Sequence, residues 1–373
     1  MPFHRVLPEH RARALRFIQG EPSRELVWSF GSFTQTSYTG MLGPEPTYEA
    51  RVRLHMQMDS CFLWHNASPY RETWEDVECL RRRQDAEETR EWVLPEGRLL
   101  ERRVDDQIVE FQVKNPKDLK TFTAMCRRLR VEPAPDSYRQ AREIAAGGPY
   151  GLPPQPLALV APASPVQELL QRVTGVETFY YLLADAPEAM EELLETLQEN
   201  QRRRYRILST FDADLWYQAE NTSTTLISPT IYEQLSLPHI REFADAAHAA
   251  GKRAIVHMCG LLRGLIPLLR ETGMDGIHSL TPPPVGDVPF DRAFGEFPPN
   301  FSILGRLNSG HWLGRSEAQM LAEFRRMVPP RLVQERPFVL WITGDSVDHI
   351  PRRDFESLKC ALLRFRDELA ACH

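Results

Sequence analysis

The stretch Arg253-Ala254-Ile255-Val256-His257-Met258-Cys259-Gly260 decides the reading of this chain. It opens on an apolar run of strand length, just after a helical segment that Gly251 closes, and it ends in a His-x-Cys pair. A strand whose neighbours on both sides read as helices is buried on both faces and belongs to a parallel sheet. Working outward, the same alternation recurs. Strands are expected at Leu157–Val160, Asp214–Tyr217, Gly276–Leu280, Phe301–Gly305 and Phe338–Ile342. Helices are expected at 165–172, 187–205, from Ser228-Pro229, at 239–250, 261–271, 317–327 and 353–370. Two further strands, Leu26–Phe30 and Cys61–Trp64, bring the count to eight and favour a closed (β/α)8 TIM-type barrel over an open doubly wound sheet.

Before the regular part lies a helix at 9–18, an N-terminal helical extension. At about 88–115 a small antiparallel β insertion is expected: Glu91–Leu94, a Pro95-Glu96-Gly97 turn, Leu99–Arg103 and Ile108–Val113. Asn115-Pro116 then starts a helix, with Asn as cap and Pro in the first turn. Residues 1–373 are thus read as one elaborated barrel domain with an insertion. Thirty prolines fit this reading. Many stand where a strand gives way to a helix, as at Pro162, Pro165, Pro229, Pro282-Pro283-Pro284 and Pro351, and they stiffen those turns.

Composition narrows the function classes. The chain is 42% hydrophobic and 26% charged with a net charge of −6, and no long run of one sign tracks nucleic acid. No apolar run reaches the roughly 18 residues that span a bilayer, so a cytoplasmic protein is expected. The six cysteines are read as reduced thiols. Neither G-x-G-x-x-G nor G-x-x-x-x-G-K-[ST] occurs, which leaves nucleotide-binding open sheets without their usual signature.

In such a barrel the reactive side chains sit where strands end. Side chains alternate along an extended segment, so His257 and Cys259 point to one side at the mouth of the fifth strand. Imidazole and thiolate together suit Zn²⁺, and a catalytic zinc takes three protein ligands and keeps a fourth position open. Asp345, after the eighth strand, is the preferred third ligand; Glu220 competes with it or acts as a general base. His278 after the sixth strand is a second catalytic candidate. Trp216, Asn221, Asn308 and Trp341 are candidates to contact substrate, with barrel filling as the competing reading for the tryptophans and a turn role for Asn308.

From about residue 157 onward the order of motifs resembles the uroporphyrinogen decarboxylase superfamily. The carrying residues are Thr174–Tyr180 followed by Asp185-Ala186-Pro187-Glu188, then Asp212-Ala213-Asp214, Ile227-Ser228-Pro229 with Pro238, His257-Met258-Cys259-Gly260 and Thr343-Gly344. Residues 90–119 are similar to an insertion of its cobalamin- and coenzyme M-linked methyltransferase branch. The resemblance implies a distorted (β/α)8 barrel. True decarboxylases of the superfamily place arginines just after the first strand and a histidine after the last-strand glycine. Here Trp28-Ser29-Phe30-Gly31-Ser32-Phe33 has no arginine, and Asp345 stands at the second place. The methyltransferase branch uses a His-x-Cys pair and a later Cys to hold zinc; His257 and Cys259 match, and Asp345 replaces the later Cys.

The resemblance thus implies metal-dependent methyl transfer from a small methylated donor or methyl-corrinoid protein to a thiol or other acceptor. Zinc is the expected cofactor. Any corrinoid comes with a partner protein, since no D-x-H-x-x-G pattern occurs, and a homodimer is a further expectation. Lyase or decarboxylase chemistry on a small carboxylic acid, and a non-catalytic binding protein on the same fold, stand as alternatives.

Overall fold

The computed structural model describes residues 7–33, 36–43, 45, 47–148, 151, 153–345, 347 and 349–371. Eight parallel strands form its central sheet: Trp28–Phe33, His65–Ala67, Leu157–Ala161, Leu215–Ala219, Arg253–His257, Gly276–Leu280, Ser302–Leu307 and Phe338–Asp345. Each strand from the second to the eighth pairs with the next, and the first pairs with the eighth. This is the (β/α)8 TIM-type architecture expected from the alternation. The first and second strands are joined outside the ladder: the Cys61 N–H donates to the Trp28 carbonyl at 2.7 Å, and the Phe30 N–H donates to Ser60 Oγ at 3.1 Å. That seam explains the shift of the second strand from the expected Cys61–Trp64 to His65–Ala67. Cys61 and Leu63 are still buried in the barrel, but their backbone lies beside the first strand rather than in a ladder.

Alternation along the strands builds two cores. Ala158, Leu215, Ile255, Leu304 and Val339 point inward and meet Ala14, Phe17 and Ile18 of the helix Leu7–Gln19, which plugs the N-terminal end of the barrel. Ser302 Oγ donates to the Phe17 carbonyl at 2.5 Å, and Arg253 donates to the Gln19 carbonyl at 3.0 Å. Intervening residues such as Trp216, Ala254, Val256 and Leu340 face the surrounding helices. Both faces are therefore dry, which is why these strands read as unbroken apolar runs.

The inserted β-structure is larger than expected. Tyr70–Trp74 pairs with Leu129–Pro133, and Glu78–Gln84, Glu87–Leu94, Gly97–Val104 and Gln107–Glu110 make a four-stranded antiparallel sheet. Its first strand was not visible in the sequence because Glu-Cys-Leu-Arg-Arg-Arg-Gln lies almost wholly exposed and has no apolar alternation. Cross-strand charge does not mark it either, since Arg83 lies across from Glu88 but Arg81 lies across from Arg90. The Asn115 cap forms as expected, its Oδ1 accepting from the Lys117 and Asp118 N–H groups. Two helices expected after Ser228 run on as one, Pro229–Ala249, with a π-turn at Tyr232–Ser236. Of the helix expected at 261–271, only Ile266–Leu269 is α-helical.

Candidate active site at the barrel mouth

One layer above the plugged core, the inward positions stop being aliphatic. Tyr217, His257, His278, Arg306 and Trp341 each lie two residues beyond an inward position of the lower layer. Four of these five rings or heads, with Trp64, form one aromatic cluster around His278. Its ring centroid is 4.3 Å from Trp341, 4.8 Å from His257, 5.4 Å from Tyr217 and 5.7 Å from Trp64. Room for the Trp341 indole comes from Gly31 on the first strand, where a Cβ would stand 2.3 Å from the indole Nε1.

His257 and His278 meet through their Nδ1 atoms at 2.5 Å. Burial is the main cause that lowers both pKa values, with the Arg306 charge adding to it; His257 falls to about 4 and His278 well below its usual value. Both imidazoles are therefore neutral at pH 7, the form that ligates a metal. Arg306 Nε donates to Thr343 Oγ1 at 3.3 Å, which places a guanidinium beside the histidine pair.

Cys259 follows two residues after His257 and is partly exposed. Its Sγ lies 3.5 Å from Asn221 Oδ1. Asn221 adopts φ 51°, and its N–H and that of Glu220 both donate to the His257 carbonyl, at 2.8 and 3.0 Å. The loop after the fourth strand is thereby tied to the end of the fifth. Ser223 Oγ accepts from the Leu261 N–H at 3.0 Å, and Gly260 passes so close that a Cβ there would meet Ser223 Cβ at 2.1 Å.

The structure brings His257, His278 and Trp341 together, and Cys259 with Asn221. The other expected site residues are placed differently. Glu220 is fully buried, and both its carboxyl oxygens are taken by Ser164, Oε2 by the N–H at 2.7 Å and Oε1 by the hydroxyl at 2.5 Å. Burial raises its pKa to about 7 while the Ser164 bonds oppose that rise. Trp216 corrects the expectation of a mouth residue: its parity is opposite to that of Tyr217, and it packs outward against Tyr205 and Phe243 at 6.1 and 6.3 Å. Asn308 Oδ1 is bonded to His311 Nδ1 at 2.7 Å. The Asp345 backbone ends the eighth strand opposite Phe33, while its side chain lies outside the described residues.

Among the described residues no three His, Cys, Asp or Glu side chains converge on a common metal position. His257 and Cys259 supply a neutral imidazole and a thiol of the kind zinc takes, and among the described residues no third donor joins them. No disulfide joins Cys61, Cys79, Cys126, Cys259 or Cys360. Sequence reasoning missed Arg306. The seventh strand runs on past Gly305 to Leu307, so Arg306 continues the inward parity of Leu304. A charged residue at the end of a dry strand was the available signal.

Fold and mouth together define a (β/α)8 barrel with a histidine pair and a cysteine at the C-terminal ends of its strands. Residues 158–342 match the family Uroporphyrinogen decarboxylase (URO-D), and the chain belongs to the uroporphyrinogen decarboxylase superfamily. Among solved structures the chain is similar to a methyltransferase from Methanosarcina mazei, with 15% identity over 97% of this chain and 99% of that one and a TM-score of 0.59. A D-psicose 3-epimerase solved in the presence of D-fructose aligns over 68% of this chain and 82% of its own, with 9% identity and a TM-score of 0.32. No curated protein matches the chain in sequence. Among the described residues no helix is long and apolar enough to cross a membrane.

Proposed function

We propose that the chain is a methyltransferase that moves a methyl group from a small methylated donor, or from a methyl-corrinoid partner protein, to a thiol held at the barrel mouth. The observation that supports this reading is the succession of a neutral His257 at the end of the fifth strand and Cys259 two residues further on, beside a mouth walled by aromatic rings. His257, Cys259 and Asp345 are the residues that would hold zinc. A bound zinc lowers the pKa of the acceptor thiol, so that it reacts as thiolate at neutral pH. Trp341, Tyr217 and Trp64 exclude water from the reacting groups, and Asn221 orients Cys259. In the transfer the donor–methyl bond breaks as the sulfur–carbon bond forms, and the thiol proton leaves to solvent.

Metal analysis of protein purified without chelator tests the zinc reading: one equivalent in the wild type and loss in Cys259→Ala are expected, and a metal-free wild type overturns it. Consumption of a small thiol such as coenzyme M in the presence of methylcobalamin tests the reaction. Arg306 supports a second reading, lyase or decarboxylase chemistry on a small acid, because a guanidinium beside the histidine pair favours an anionic substrate. Turnover of an acid without loss of thiol would select it.

A further inference from the structure

The sixth strand carries a strained residue next to the histidine pair. Ser279 adopts φ 79°, a left-handed conformation that is unfavourable for any residue with a Cβ. The residue is 0% exposed, and its Oγ is buried without a hydrogen-bond partner among the described residues. Two unfavourable features meet at this serine, and glycine would carry neither. The strand changes register at the same place. His278 lies across from Leu304 of the seventh strand, but Leu280, two residues further, lies across from Gly305, only one residue further. Ser279 is therefore the extra residue of a β-bulge, a device that re-aims the side chains beside it.

The bulge reverses the parity of the strand. Before it, Gly276 and His278 lie across from Ile255 and His257 of the fifth strand and share their inward side. After it, Leu280 shares the outward side of Gly305, where a Cβ would meet Phe290 and Phe338, and it packs in the outer core with Ile277. A strand that kept its alternation would carry Leu280 inward, on the side of His278. Two hydrogen bonds brace the distortion: the Met258 N–H donates to the His278 carbonyl at 2.9 Å, and Thr281 Oγ1 donates to the Ser279 carbonyl at 2.9 Å.

We infer that Ser279 is a positioning residue of the barrel mouth: its left-handed bulge holds His278 against His257 and turns Leu280 away from the reacting groups. This role rests on the mouth being the reacting site, and it applies to methyl transfer and to lyase chemistry alike.

Nitrogen-15 spectra of the full chain labelled at histidine test this through the hydrogen bond between the two Nδ1 atoms, a readout that needs no turnover. The wild type is expected to show a downfield, solvent-protected imidazole proton that disappears in His257→Ala. Ser279→Gly adopts the left-handed φ freely and is expected to keep that proton. Its thermal midpoint should exceed that of Ser279→Ala by about 1–3 °C, because both variants lose the hydroxyl and only alanine keeps the Cβ. Ser279→Val, whose branched Cβ excludes this φ, is expected to close the bulge and abolish the proton. Ile303→Ala, a truncation in the outer core, is expected to lower the midpoint and keep the proton, which separates positioning from lost stability. A proton retained in Ser279→Val overturns the inference, as does a wild type without it. Where Ser279→Val does not fold, the other two variants decide: a glycine midpoint at or below the alanine one, or a proton lost in Ser279→Gly, overturns it. A wild type that shows the proton pattern but transfers no methyl group overturns the proposed reaction and supports the role of Ser279.

Discussion

The Nδ1 atoms of His257 and His278 stand 2.5 Å apart, so one imidazole donates to the other across the barrel mouth. Both rings are neutral at pH 7, which leaves two tautomer patterns. When His257 is the donor its Nε2 carries a lone pair, and His278 acts as the partner that fixes that tautomer. His278→Phe keeps the ring in its aromatic cluster but removes the acceptor. The zinc affinity proposed for the mouth should then fall by roughly 10- to 100-fold, read by competition with a chromophoric chelator. An unchanged affinity would remove His278 from that role.

The close pass of Gly260 over Ser223 makes a second prediction. An alanine at 260 would bring its Cβ to 2.1 Å from Ser223 Cβ, and Ser223 also holds the Leu261 N–H. Gly260→Ala should destabilise the protein by about 1–3 kcal/mol and displace the neighbouring Cys259, lowering both thermal midpoint and methyl transfer. Adding Ser223→Gly removes the opposing Cβ and should restore part of both. If the double variant is no better than the single one, the clash is not the cause.

Gly31 bears on the opposite wall. A Cβ at 31 would stand 2.3 Å from the Trp341 indole Nε1, and that indole packs 4.3 Å from the His278 ring. Gly31→Ala is expected to push Trp341 out of register, at a cost of about 1–3 kcal/mol, and to shift tryptophan fluorescence. Combination with Trp341→Phe should recover stability but not the original emission. A crystal structure of Gly31→Ala with Trp341 unmoved would contradict this account.

The barrel was legible because strands buried on both faces, such as Ala254-Ile255-Val256, carry an unbroken apolar signal bounded by Gly251 and the next helix. The strand Glu78–Gln84 was not, since it lies almost wholly exposed and carries no apolar alternation. At the mouth, His257, Cys259 and His278 followed from strand ends and period-2 parity. Trp216 failed on the same parity, one residue out of phase with Tyr217. Glu220 carried no local sign of its partner, because Ser164 lies 56 residues earlier and only the closing of the sheet brings the two together. Arg306 was hidden by a strand end set two residues too early, at Gly305 instead of Leu307.

His55 gives the pH prediction. It is partly buried beside Phe30 and Phe62 and bonds the Tyr38 hydroxyl through Nε2 at 2.8 Å. Burial, with a smaller contribution from the Arg51 charge, lowers its pKa to about 4 from the usual 6.5. Between those values the unfolded chain binds the proton and the folded one does not. The stabilisation is therefore complete above pH 6.5 and is lost as pH falls toward 4. At pH 5 the loss amounts to about 2 kcal/mol relative to pH 7.5. His55→Phe suits the aromatic surroundings but removes the hydrogen bond to the Tyr38 hydroxyl, so at pH 7.5 it should be less stable than the wild type by about 1 kcal/mol. Urea unfolding at both pH values should show that deficit shifting by about 2 kcal/mol in favour of the variant at pH 5, because only the wild type carries the titrating group. A deficit that stays constant between pH 7.5 and 5 would show that His55 charges freely in the folded protein.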